Sequence, residues 1–258
     1  MINFILLGLI EGFTEFLPIS STGHLILARY FFGLDTPYPL AVDAILQLGT
    51  ILAVYIYFAP ELWQLITDFF HKKRNVVWAM VVGTIPAGLL GLVAEKFVES
   101  HLRTPTIVAA VLVIGALLFI LAEKYFAHGK QDVEKVTLKQ GLTIGIAQCL
   151  AFIPGFSRSG ATIMAGLAEK MTRESAARFS FYLSLPVITL SGLKKLYDLL
   201  KTGLPQGIGL ELSVGTLIAF IVGLLSIHFL LTYLKKHSLN LFAWHRIILG
   251  LAVLFYLA

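Results

Sequence analysis

The sequence predicts an all-α polytopic membrane protein, six transmembrane helices plus two re-entrant helical hairpins in an inverted-topology repeat. Three observations predict it. Of 258 residues 57% are hydrophobic and 14% charged, with a mean hydropathy of +0.84, a composition foreign to water-soluble folds. Apolar segments of spanning length alternate with short polar connections that hold most of the basic residues, the pattern that orients helices in a bilayer. The order of segments also repeats: a broken pair of short apolar pieces, then three full spans. The formal charge of +5 would suggest nucleic acid in a soluble chain. Distributed over such connections it is a topological signal, so the bilayer is the expected partner, with no nucleic acid and no obligatory protein partner.

Taken in order, an apolar helix over residues 3–17 stops at Pro18 and the turn chemistry of SSTG, and a second piece covers 25–32. Neither reaches the roughly 20 residues that cross a hydrocarbon core. Together they read as a re-entrant hairpin, whose irregular backbone is tolerated only beside protein or a water-filled cavity. Spans follow at 40–58, 76–93 and 106–122. His71, Lys72, Lys73 and Arg74 place the first connection in the cytoplasm, and Lys124, Lys130, Lys135 and Lys139 place the third there too. The opening pattern then returns, with short pieces at 142–153 and 161–167 around Pro154 and Gly155, and spans at 176–193, 214–234 and 241–257. His245 and Arg246 would have to snorkel from the start of the last span. The amino terminus resembles the apolar part of a signal peptide but lacks a basic leader, and is read as mature protein. Cys149, the single cysteine, excludes a disulfide framework and reads as a small buried hydrophobe.

A constant offset of 137 lays Gly8 on Gly145, Glu11 on Gln148, Ser20 on Ser157 and Gly23 on Gly160. It also lays Leu46, Gln47 and Leu48 on Leu183, Ser184 and Leu185. The chain therefore reads as one integral membrane domain, 1–258, with repeats at about 1–122 and 138–258. Three spans between the hairpins make the second enter from the opposite face, so the two tips meet near the midplane.

Residues 11–24, EGFTEFLPISSTGH, carry two carboxylates, four hydroxyls and an imidazole within an apolar surround. Ionisable groups there are expensive and mark function. Glu11 and Glu15, four apart, share one helix face, and a divalent cation with oxygen ligands would relieve their repulsion. Magnesium fits first and calcium second. Residues 148–162, QCLAFIPGFSRSGAT, supply Arg158, a planar donor fork for phosphate. Backbone amides from Gly155 to Gly160 lead into a helix amino terminus, a second place for an anion. The two stretches read as halves of one metal-assisted phosphate site. Blander readings stand beside it. The glutamates would also serve a proton or cation path or a buried structural pair, Arg158 a hub for loose carbonyls, and His24 a core histidine. Ser20, Ser21, Thr22, Ser157, Ser159 and Thr162 would serve as turn formers or helix caps. Asp43 and His228 read as structural, as does Gln47 unless its place after the first hairpin brings it to the site.

The two segments EGFTEFLPISSTGH and PGFSRSGAT closely resemble the paired signature of the undecaprenyl-diphosphate phosphatases, the membrane family associated with bacitracin resistance, and the length and the ILQLGT segment fit as well. Glu11 and Glu15 fill the acidic positions of the first motif. Pro154, Gly155, Ser157, Arg158, Ser159 and Thr162 fill every fixed place of the second. The resemblance implies hydrolysis of undecaprenyl diphosphate to undecaprenyl phosphate and inorganic phosphate, at a site facing the outer side of the bacterial cytoplasmic membrane. On that reading Glu11 and Glu15 hold the cation, and Arg158 clamps the phosphoryl group with Ser20, Thr22, Gly155, Ser157, Ser159, Gly160 and Thr162. His24 serves as base or acid. The nucleophile is water or Ser21, and the covalent route asks for Ser21 within hydrogen-bond reach of His24. The competing class is an inverted-repeat transporter or lipid flippase using the same intramembrane site; phosphate release separates the two.

Overall fold

The computed structural model describes residues 1–70, 75–202 and 208–258. All its named elements are helices: α1 (Ile2–Thr14), α2 (Ser21–Phe32), α3 (Pro39–Tyr57), α4 (Ala59–Phe70), α5 (Asn75–His101), α6 (Pro105–Phe126), α7 (Leu138–Gln148), α8 (Arg158–Ala168), α9 (Arg173–Thr202), α10 (Ile208–Leu234) and α11 (Asn240–Leu257). Six of them, α3, α5, α6, α9, α10 and α11, are long and apolar enough to cross a membrane, and these correspond to the six expected spans. Several run further than their apolar part. α5 continues through Lys96 and Glu99, and α9 through Lys194 and Asp198, because a helix continues through charged residues of good propensity after its hydrophobic stretch ends.

Helix α4 was not foreseen. Its apolar residues Leu62, Trp63, Ile66 and Phe70 recur at helical spacing, but twelve residues are too few to register as a span. Glu61 ties its first turn to Arg178 of α9 at 3.3 Å. The basic cluster His71 to Arg74 lies outside the described residues.

The short helices begin and end elsewhere than the sequence suggested. α1 stops at Thr14, and α2 starts at Ser21 rather than 25; α8 starts at Arg158 rather than 161. The cause is capping. Ser20 and Ser157 take positive φ values of 76° and 79°, and their hydroxyls accept from Gly23 N at 3.3 Å and Gly160 N at 3.1 Å. The polar runs read as loops are thus the first turns of helices, where side-chain acceptors satisfy free amides. α7 begins early because Thr137 and Gln140 form a capping box. It ends at Gln148, where residues Cys149–Phe152 tighten into a 3-10 turn.

α1 packs on α10 and α7 on α5, while α3 meets α9 and α6 meets α11. Glycine permits the closest approaches: a Cβ on Gly8 would strike the carbonyl of Gly215, and one on Gly145 that of Gly83. At one end of the bundle, Glu123 accepts from Arg173 Nη2 at 2.7 Å and from Leu239 N at 2.7 Å. That joins the end of α6 to the starts of α9 and α11, and Gln131 pairs with Met171 beside them. Among the described residues, the segments after α6, before α9 and before α11, all expected on one side of the membrane, therefore gather at this end. At the opposite end Asp43 accepts from Arg29 at 2.6 Å and Arg103 at 3.3 Å.

Candidate active site

The two helix breaks meet. A Cβ on Gly23 would lie 3.3 Å from the Cα of Gly155, and Ser159 Oγ donates to Leu17 O across the junction at 3.2 Å. The expectation that Arg246 snorkels to a surface is overturned by what lies here. Arg246 is fully buried and donates to Gly155 O at 3.0 Å, Leu112 O at 3.3 Å and Pro18 O at 3.4 Å, with its guanidinium 4.7 Å from the Phe119 ring centre. Carbonyls left over by the two breaks need donors in an apolar surround. An inward arginine supplies them without reaching water.

Across the same junction Arg158 Nη2 donates to Glu15 Oε1 at 2.9 Å, and Ser21 Oγ donates to Glu15 Oε2 at 2.5 Å. Arg158 Nη1 donates to Ser180 O at 3.1 Å, while its Nε has no partner. Two of five guanidinium N–H groups are thus engaged, and the others remain for an anion. Glu15, Ser20, Ser21, Thr22, Ser157 and Arg158 line one cavity of about 190 Å³, with Ala87, Phe152, Val187 and Ile188 as apolar wall. Donors fixed in a cavity walled by apolar side chains act more strongly than in water.

Glu11 lies one helical turn before Glu15, whose amide donates to Glu11 O at 2.9 Å. Its carboxylate is fully buried, and neither oxygen has a hydrogen-bond donor. That donor set, two neighbouring carboxylates with one unsatisfied, suits a hard divalent cation. Among the described residues no group of three or more His, Cys, Asp or Glu side chains gathers, so the rest of such an ion's shell would come from water and ligand oxygens.

His24 is not brought to the cavity. Its Nδ1 donates to Ser20 O at 2.8 Å, and its Nε2 faces His245 Nε2 at 3.1 Å, with the two rings stacked. A ring whose Nδ1–H is committed to a carbonyl accepts at Nε2 when neutral, so His245 donates. The contact sought between Ser21 and His24 is replaced by the one between Ser21 and Glu15. Ser157 and Ser159 hydroxyls lie 3.1 Å apart. Thr162 Oγ1 donates to Ser180 Oγ at 2.7 Å, so it braces α8 against α9. Gly155 and Gly160 serve the junction, the former at φ 98° with its Cβ position against Val108 O.

Sequence reasoning passed over Arg246, Ser180 and Gln148, which also lines the cavity. For Arg246 the signal was an ionisable group inside an apolar span, which marks an inward-facing role as readily as snorkelling. Gln47 lines the cavity, the exception allowed for it. Asp43 holds two arginines and His228 pairs with the Tyr57 hydroxyl at 3.2 Å, and neither lines the cavity. Cys149 is only partly buried, because the 3-10 turn carries it off the packed face of α7.

Six membrane-length helices, of which α3, α5 and α9 join the two helix breaks in lining one cavity, define a multi-pass membrane protein with a candidate site between its helices. The chain belongs to the family described as Bacitracin resistance protein BacA, which matches residues 4–252. A curated relative from Corynebacterium glutamicum is 44% identical over 98% of this chain and 89% of its own length. One from Corynebacterium striatum is 42% identical over 98% and 93%, and one from Acinetobacter baumannii 39% over 98% and 94%. Each of these relatives bears the name undecaprenyl-diphosphatase.

Proposed function

We propose that this chain hydrolyses undecaprenyl diphosphate to undecaprenyl phosphate and inorganic phosphate in the bacterial cytoplasmic membrane, returning the lipid carrier to cell-wall polymer synthesis. The relatives' names over nearly the whole chain support this. The observation that carries it is the convergence of Arg158 and Ser21 on Glu15 in one cavity. The short helices are the arms of two re-entrant hairpins in an inverted repeat. Matching contacts favour this: α1 on α10 answers α7 on α5, and Ser20 and Ser157 cap alike. The site opens toward the outer side of the membrane.

In this reading Arg158 holds the terminal phosphoryl group through its free N–H groups, helped by the Thr22 and Ser157 hydroxyls that line the same wall. Ser21 Oγ attacks the terminal phosphorus, and Glu15 Oε2, already its acceptor, takes the proton. The bond to the bridging oxygen breaks and undecaprenyl phosphate leaves. Water then cleaves the phosphoserine, giving inorganic phosphate and restoring Ser21. The Ser21 to Glu15 hydrogen bond favours this route over direct attack by water. Glu11 and Glu15 would hold a divalent cation, magnesium first and calcium second. Once bound, it would neutralise charge developing on the leaving phosphate. His24, facing His245, braces the start of α2.

Purified protein in detergent is expected to release phosphate from a prenyl diphosphate with magnesium, less with calcium, and none with chelator. Folded protein that releases no phosphate under any of these conditions contradicts the proposal.

A further inference from the structure

Gln148, the last residue of α7, lines the cavity shared by Arg158, Ser157 and Ser21. It is 1% exposed, and neither its Nε2 nor its Oε1 has a hydrogen-bond partner. Buried carboxamides are nearly always satisfied, and an orphan at the wall of a ligand-sized cavity is satisfied by what enters the cavity. The chain gives this side chain little freedom to find another partner. One turn earlier Gly145 lies against the backbone of Gly83, and one turn before that Gly141 packs on Ala79, so α7 is pinned to α5. Immediately afterwards the backbone tightens through Cys149–Phe152.

The residue type fits the charge already in place. Glu15 is balanced by Arg158, and Glu11 adds a second carboxylate one turn away. An acid at this position on the wall, beside Glu15 and with Glu11 buried behind it, would repel a diphosphate, and another cation would bind Glu15 in competition with Arg158. A carboxamide adds two N–H donors and one acceptor with no net charge.

We propose that Gln148 is a direct substrate contact, its Nε2 donating to an oxygen of the phosphoryl group that Arg158 holds and its Oε1 accepting from water in the cavity. This rests on the phosphatase reading above and adds a residue from α7 to the binding wall.

The test compares wild type with Gln148→Met, which keeps length without the amide, and Gln148→Glu, which keeps shape but exchanges donors for charge. Two readouts are taken: kcat/KM on undecaprenyl diphosphate, and the unfolding midpoint with and without inorganic phosphate. Gln148→Met is expected to lower kcat/KM about 10- to 100-fold, as for loss of a hydrogen bond to a charged group, and Gln148→Glu more. The ligand-free midpoint of Gln148→Met stays at or above the wild-type value, since no protein partner is lost, while stabilisation by phosphate shrinks. Unchanged kcat/KM in Gln148→Met overturns the proposal. So does a loss of activity that follows a lowered ligand-free midpoint with the phosphate response intact. If Gln148→Met does not fold, Gln148→Glu is judged by the same criteria. A wild type that releases no phosphate would sink the phosphatase reading separately, and the phosphate-induced midpoint shift would still decide whether Gln148 contacts an anion.

Discussion

In residues 11–24 a helix ends beside two glutamates and restarts behind Ser20; in residues 148–162 a helix ends at Gln148 and restarts behind Ser157. Under the offset of 137 the position of Glu15 is taken by Phe152 and that of Ser21 by Arg158. The frames agree and the chemistry does not. Each frame uses a serine at positive φ to cap the following helix, and each leaves a carbonyl that Arg246 satisfies, Pro18 in one and Gly155 in the other, also 137 apart. What differs is charge: one stretch brings the carboxylates, the other the guanidinium. An ion pair across the junction then forms only when both halves are assembled, which couples folding of the two breaks to formation of the site.

Arg246→Met should break the comparison hardest, because it strips the shared donor from both frames at once. Leaving buried carbonyls unsatisfied costs about 1–3 kcal/mol each, so a loss on the order of 3 kcal/mol is expected, read as a lowered unfolding midpoint in detergent with reduced kcat. An unchanged midpoint would show that the carbonyls find other donors. Smaller effects sharpen the comparison. Ser20→Ala and Ser157→Ala should each cost about 1 kcal/mol through the lost cap. The corresponding glycine variants should cost only a few tenths, because glycine tolerates the positive φ and is itself an acceptable cap. Unequal costs at the two serines would mean that the frames are less alike than their dihedrals.

Much of this was legible in the residues. Six spans follow from hydropathy, since a helix must satisfy its own backbone in lipid and needs a minimum apolar length. That the two stretches are halves of one site was anticipated, with the glutamates for a cation and Arg158 for phosphate, but the direct ion pair of Glu15 with Arg158 appears only in the fold. Other features were hidden for physical reasons. Helix α4 is short and amphipathic, a pattern that hydropathy does not isolate. The starts of α2 and α8 were misplaced because serine and glycine signal a turn as readily as a capped first turn. The orientation of His24 depends on His245, 221 residues away, and no local spacing carries that information. Arg246 was read by distance to the membrane surface, whereas unsatisfied carbonyls at the breaks decide its direction. Gln148 was visible only as the counterpart of Glu11, and its lack of a partner appears only in three dimensions.

The central claim, that the two stretches make one site through Glu15 and Arg158, is tested most directly by a double-mutant cycle on kcat/KM for phosphate release with Glu15→Gln, Arg158→Ala and the pair. Each single change is expected to cost about 10²- to 10³-fold, as for removal of one positioned transition-state group, and the double variant should be no worse than the poorer single, because the two side chains act as a unit. If the two losses instead multiply, Glu15 and Arg158 act independently and the account of a shared site is contradicted.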